Sequence, residues 1–249
     1  MASNNFTDLL YQLFEKNNLI KYTEQKYAKN FMLLYDKLIA DNKKFNLTAI
    51  TEESDVIIKH FIDSLLISDL IPENSKIIDI GCGAGFPSLP LSIVRKDISI
   101  LAVDSTAKKV EYVNECTQLL GLNNLIAICN RAEVLGKDTS YRENFDIATA
   151  RAVAPLPILA ELCIPFVKIG GSFIPMKAQS ADEEQKKSEQ IIKVLGCDEG
   201  TSTEYNLYGT EIQQTRKIII YKKITQTNKK YPRNYSQISK QNTHFVLIV

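Results

Sequence analysis

The sequence predicts a doubly wound, Rossmann-like α/β sheet preceded by an N-terminal helical extension. Three observations carry that prediction. From Ser75 onward, short apolar runs such as KIIDI (76–80) and SILAVD (99–104) alternate with helical stretches. The first of these runs leads straight into a glycine turn, GCGAG (81–85). Before Pro72 there is neither glycine nor proline, and the apolar residues recur at helical spacing. Parallel strands buried on both faces read as continuous hydrophobic runs, and β–α alternation with right-handed crossovers gives a doubly wound sheet.

The elements follow in order. Phe6, Leu9, Leu10, Leu13 and Phe14 fall at i, i+3, i+4, i+7 and i+8, one apolar face of a helix. Tyr27, Phe31, Leu34, Tyr35 and Leu38 repeat the pattern, and a third helical segment (54–70) starts with Ser54 as its expected N-cap. These make up an extension over residues 1–70. A core over 71–225 is expected from the strands KIIDI, SILAVD, LIAICN (125–130), FDIATA (145–150) and GSFIPM (171–176). The helix TAKKVEYVNECTQLLG (106–121) is closed by Gly121 at C′. RKIIIYKKI (216–224) adds a final strand, and 226–249 reads as a basic tail.

Composition removes several classes of function. With 45% hydrophobic and 24% charged residues, the chain is that of an ordinary globular protein. No apolar run reaches the roughly 18 residues that a membrane helix needs. MASNNFTDLL lacks the basic patch and apolar core of a secretory signal. The five cysteines form no C-x-x-C pair and are odd in number, which points to reduced thiols in the cytosol and not to disulfides or a zinc site. Only two histidines, His60 and His244, further weaken a metal reading. A net charge of +1 implies no partner by itself. Its distribution is more informative: Lys222, Lys223, Lys229, Lys230, Arg233 and Lys240 are interleaved with tyrosines and no acid. Cations among flat aromatics suit phosphates and bases, while a solvated terminus is the other explanation.

Ligands of such sheets bind at the carboxyl ends of the strands, where GCGAG lies. Its glycines let a ligand touch the backbone. A nicotinamide cofactor would require G-x-G-x-x-G/A, and counting from Gly81 the sixth position is Phe86, followed by Pro87. The spacing instead suits the loops of S-adenosylmethionine enzymes, whose cofactor carries no phosphate. Asp104, ending the second strand roughly 20 residues on, can accept bonds from ribose hydroxyls, which both cofactors possess. It could equally cap the following helix. After the third strand, Ala132 and Glu133 could read adenine through a backbone N–H and a carboxylate. A surface ion pair with Arg131 is the alternative there.

The fourth strand leads into Thr149-Ala150-Arg151-Ala152, in place of the Asn/Asp-Pro-Pro-aromatic turn of amino-directed nucleic-acid methyltransferases. No Pro-Cys pair stands here for covalent attack on a pyrimidine, and Cys163 reads as core. An acceptor that is already nucleophilic, such as guanine N7, fits these absences. Thiol and amine small molecules stay open at this point.

Several motifs stand in order: NLTAI (46–50), HFIDSLL (60–66), IIDIGCGAGFPSLPLSI (77–93), VDS-x-x-KK (103–109), RAE (131–133), TARAVAPL (149–156), GGSFIPMK (170–177) and YPR (231–233). Together they resemble the bacterial 16S ribosomal RNA guanine-N7 methyltransferases, the small-subunit methyltransferase G family, once called glucose-inhibited division protein B. The resemblance spans nearly the whole chain. It implies a class I S-adenosylmethionine-dependent methyltransferase sheet and N7 methylation of one guanosine. Family cofactor contacts then fall at Gly81, Phe86, Ala132, Glu133 and Arg151, beside Gly83 and Asp104 from the turn itself. It also turns Lys108, Lys109, Lys229, Lys230 and Arg233 toward RNA. The implied partner is 16S rRNA or the small-subunit particle, bound by a cytoplasmic monomer without metal. His60 and Asp63, three apart, could reach the site mouth or form a structural hydrogen bond. Two departures stand out: Ser88 where the family usually has glycine, and the terminal QNTHFVLIV (241–249). Two other functions compete, a small-molecule methyltransferase and a non-catalytic RNA-binding protein; the basic tail opposes the first, and the intact glycine loop with Asp104 opposes the second.

Overall fold

A computed structural model describes residues 2–178, 181–209 and 214–246. The sheet contains β1 (Lys76–Ile80), β2 (Ser99–Asp104), β3 (Leu125–Cys129), β4 (Phe145–Arg151), β5 (Val167–Ala178), β6 (Thr201–Leu207) and β7 (Gln214–Lys222). Their order is β3-β2-β1-β4-β5-β7-β6. β1 to β5 run parallel, and β7 is antiparallel to both β5 and β6. The order reverses around β1, between β2 and β4, which opens a crevice at their carboxyl ends. β6 is not among the expected strands. Its sequence, TSTEYNL, is exposed almost throughout, so no apolar run announces it and backbone pairing with β7 defines it.

Alternate side chains of the strands point to opposite faces, and both faces are covered. Ile77, Ile100, Ile147 and Ile174 join one cluster with Phe14, Phe31 and Phe61. These aromatics come from α1 (Ala2–Lys16), α2 (Gln25–Phe45) and the third helical segment. The N-terminal helices therefore share a core with the sheet. Ile78, Val103, Phe145 and Phe173 join a second cluster with Leu159, Cys163, Ile192 and Ile238, from α8 (Leu156–Cys163), α9 (Ala181–Val194) and α10 (Tyr235–Val246). Each fully buried Phe or Ile contributes about 1.5–3 kcal/mol.

The third helical segment departs from its expected start. α3 (Glu53–Val56) is preceded by Glu52, without a side-chain cap, and Ser54 lies inside the first turn. It runs into a π-helical stretch (Ile57–Ile62) and the turn α4 (Asp63–Leu65). Such wide turns are rare and concentrate at functional sites. Here the turn carries His60, and its Phe61 continues a file of rings. Phe14 and Phe31 lie 5.4 Å apart, Phe31 and Phe61 5.0 Å, and Phe61 and Phe86 6.2 Å. The helical layer thus packs directly under the glycine turn.

Residues beyond β7 do not hang free. Lys223 is buried and donates to Thr227 Oγ1 at 2.6 Å while pairing with Glu143 at 3.2 Å. The Arg142 guanidinium donates to the carbonyls of Thr227 and Tyr231, both at 2.7 Å. Ile238 is fully buried. The atypical QNTHFVLIV end has side chains outside the described residues. Among the described residues no helix is long and apolar enough to cross a membrane, and no cluster of metal-ligating side chains occurs.

Candidate functional site

The chain leaves β1 through the glycine turn, which is tied to β2. Gly81 and Cys82 donate to the Val103 carbonyl at 2.7 and 3.1 Å. Gly83 has φ +55°, a conformation natural to glycine. A Cβ there would meet only the Gly81 carbonyl oxygen, at 3.9 Å, so its bare face looks into open space. Gly85 serves packing instead, because a Cβ would strike Leu89 at 2.3 Å. The open space is a cleft of about 580 Å³ over the ends of β1, β2 and β4, within the size range of small-molecule sites.

Asp104 stands at the end of β2. Its Oδ2 accepts from the Gly83 N–H at 3.0 Å, and its Oδ1 accepts from Thr106 at 2.8 Å. Each oxygen keeps acceptor capacity for a sugar hydroxyl. Beneath the turn, Asp79 is fully buried, and burial pushes its carboxyl up to about 6. Ser88, at the start of α5 (Ser88–Val94), donates to Asp79 Oδ2 at 2.6 Å, while Oδ1 has no partner among the described residues. Ser88 therefore supplies a side-chain donor to a buried acid.

Arg151, the last residue of β4, is gripped from the helical layer. One terminal nitrogen donates to the Lys59 carbonyl at 2.8 Å and to Asp63 Oδ2 at 2.9 Å. The other reaches His60 Nδ1 at 3.2 Å. Arg216 from β7 holds the remaining Asp63 oxygen at 2.9 Å. Because arginine only donates, Nδ1 of His60 accepts, which assigns the ring proton to Nε2, 2.8 Å from Thr48 Oγ1. The imidazole stacks on Phe86 with centroids 4.5 Å apart. Burial, reinforced by the Arg151 charge, pulls its pKa down to about 3, so the ring is neutral.

The residues expected to hold a cofactor, Gly81, Gly83, Phe86, Asp104, Ala132, Glu133 and Arg151, all line this one cleft. Ala132 and Glu133 open the short helix α7 (Ala132–Leu135), and Glu133 also faces Arg131 at 3.6 Å. The residues expected to face RNA are more scattered. Lys109 lines the cleft, whereas Lys108 projects from α6 (Ala107–Leu119) with its ammonium 5.7 Å over the Phe45 ring. Lys229 and Lys230 are exposed. Arg233 has a structural partner besides any RNA it faces. Its guanidinium grips Glu161 at 2.9 and 2.6 Å, and its backbone N–H bonds the same carboxylate at 2.7 Å. Glu161 is buried, so its charge demands that partner.

Among the cleft residues that the sequence does not mark as site residues are Thr48, Ala152 and Tyr235. Thr48 lies in the NLTAI motif, a signal that carries no role by itself. Ala152 adopts φ +55°, a strained conformation for a residue with a Cβ, and nothing in its sequence context announces it.

The family model GidB, rRNA small subunit methyltransferase G, matches residues 27–214. The Ribosomal RNA small subunit methyltransferase G of Clostridium beijerinckii is 42% identical over 238 residues, covering 94% of this chain and 98% of the relative. Its Acetivibrio thermocellus counterpart is 43% identical over 218 residues, covering 87% and 89%. Two solved structures share the fold. M. jannaschii TYW2 in complex with AdoMet has a TM-score of 0.52 at 16% identity, covering 65% of this chain and 75% of that one. A putative O-methyltransferase from Klebsiella pneumoniae has a TM-score of 0.52 at 18% identity, covering 76% and 90%. With the glycine turn, Asp104 and Arg151 in one cleft and the likeness running nearly end to end, the chain belongs to the rRNA small subunit methyltransferase G family.

Proposed function

We propose that the protein transfers a methyl group from S-adenosylmethionine to N7 of a guanosine in 16S ribosomal RNA, naked or within an assembling particle. The observation that carries this reading is the bare face of Gly83 beside Asp104 in a cleft of about 580 Å³. That cradle suits a ligand with a ribose and no phosphate. When bound, the cofactor supplies a methyl group on a positively charged sulfur. Asp104 would receive the ribose hydroxyls, Ala132 and Glu133 would bound the adenine, and Gly81 and Gly83 would admit the methionine portion against the backbone. Arg151, fixed by Asp63 and His60, closes the wall beside Phe86.

Guanine N7 arrives with its own in-plane lone pair and no proton. The N7 pair forms the new bond to carbon as the carbon–sulfur bond breaks, and that bonding pair stays on sulfur. No base is required, which fits a neutral His60 whose two nitrogens are both occupied by Arg151 and Thr48. The chain's work is alignment and the placement of fixed dipoles and charges where charge moves. Nucleoside mass spectrometry of small-subunit rRNA from cells with and without the gene tests the reading. One N7-methylguanosine should vanish with the gene. Unchanged rRNA, with methylation instead appearing on a small molecule, would overturn it.

A further inference from the structure

Tyr235 is an exposed aromatic held on a rigid mount at the mouth of the cleft. It lines the same cavity as Gly81 and Arg151, yet its side chain is 44% exposed. On one side of it, Arg233 is clamped to buried Glu161 of α8. On the other, fully buried Ile238 roots α10 in the core. Pro232 lies so close to Gly136 that a Cβ on that glycine would meet it at 3.0 Å, and Lys137 reaches Asn234 at 3.4 Å. Tyr231, four residues earlier, is buried. Among the described residues the Tyr235 ring meets no aromatic partner. The segment therefore spends a buried ion pair and a core isoleucine on holding one unpaired ring above the cleft floor.

We infer that the Tyr235 ring is the platform on which the target guanine stacks while N7 is presented to the methyl donor. This deepens the function proposed above and rests on it. A guanine entering the cleft must leave the stack of its neighbours, and a flat ring at the entrance replaces what it loses. Stacking reads no hydrogen-bond pattern, so the ring contributes to holding the base and leaves the choice of base to other groups. The grip on Glu161 fixes the chain two residues before the ring. The adenine of the cofactor is the rival occupant, and the test separates the two.

The chain contains no tryptophan, so Tyr235→Trp installs a single indole reporter at this position. Deproteinised small-subunit rRNA from a strain lacking the gene should quench that emission in the presence of S-adenosylhomocysteine, while S-adenosylhomocysteine alone should leave it unchanged. In turnover, Tyr235→Ala should raise the KM for rRNA by about 5- to 150-fold. Its kcat should stay within about threefold, because stacking holds ground and transition states alike. Tyr235→Phe should restore KM, since the ring and not the hydroxyl matters. Quenching by S-adenosylhomocysteine alone, or an alanine variant weakened for that ligand, would assign the ring to adenine and overturn the inference. Bound rRNA without quenching, or an unchanged KM, would do the same. If the wild-type protein neither binds nor methylates rRNA, the functional reading itself fails, and that result appears without any substitution.

Discussion

Replacing Arg151 by lysine keeps the charge and removes the planar fork, and the structure gives the change a size. Lysine can keep the bond to Asp63, which Arg216 also holds. It cannot at the same time satisfy the Lys59 carbonyl, now at 2.8 Å, and His60 Nδ1, now at 3.2 Å, from two nitrogens of one plane. Each buried acceptor left without a donor costs about 1–3 kcal/mol. The guanidinium also sits 5.3 Å over Phe86, an interaction worth about 0.5–2 kcal/mol. A loss of about 3 kcal/mol is expected, or a fall in Tm of about 6–12 °C for a chain of this size. Scanning calorimetry without ligand reads that fall. Titration calorimetry with S-adenosylhomocysteine should show affinity reduced at least about tenfold, because the displaced side chain and the freed His60 both border the cleft. Wild-type melting together with wild-type affinity would refute the reasoning and make the Arg151 network incidental.

Other consequences can be checked separately. Gly83→Ala should leave folding within about 1–2 kcal/mol, the strain of a left-handed alanine, yet abolish cofactor binding, whereas Gly85→Ala should lower Tm through its clash with Leu89; calorimetry of both variants with ligand distinguishes them. Asp79 holds its proton to about pH 6 when folded and to about 3.8 when unfolded. The folded state thus binds the extra proton between these values, and stability falls as pH rises through them, by about 1.4 kcal/mol per unit and about 3 kcal/mol in all. In urea melts, Asp79→Asn should lack this decline, and Ser88→Gly, which removes the hydroxyl donor, should extend it to higher pH at the same slope. In the tail, Lys229→Ala with Lys230→Ala should reduce the log–log salt slope of RNA binding by about 0.7–0.9 for each phosphate no longer neutralised, while leaving Tm unchanged. Arg233→Ala should instead destabilise the fold by about 3–5 kcal/mol, since it strands the buried Glu161 carboxylate; a neutral effect on Tm would show that the pair does not hold the fold.

What the sequence determined by itself is local in origin. The five parallel strands were legible because strands buried on both faces must be apolar along their length, as KIIDI and SILAVD are. The glycine turn and Asp104 were legible because a ligand pressed on the backbone demands bare residues at a fixed distance from a strand end. Helices α1 and α2 announced themselves through the spacing of Phe6, Leu10, Phe14 and Phe31. Only the tertiary structure decided matters that join distant positions. Arg151 finds its acceptor 92 residues away at Lys59, and Arg233 finds Glu161 72 residues away. No charge pattern distinguishes an arginine that meets a buried acid from one that meets water, so Arg233 reads like its neighbours Lys229 and Lys230. The buried Lys223 reads as part of the basic run for the same reason. β6 is polar and exists through pairing with β7, a property of the backbone that side chains do not declare. Tyr235 stands in the sequence as one tyrosine among basic residues. Its place over the cleft follows from where Glu161 and Ile238 pin the chain, which is a fact of packing and not of local chemistry.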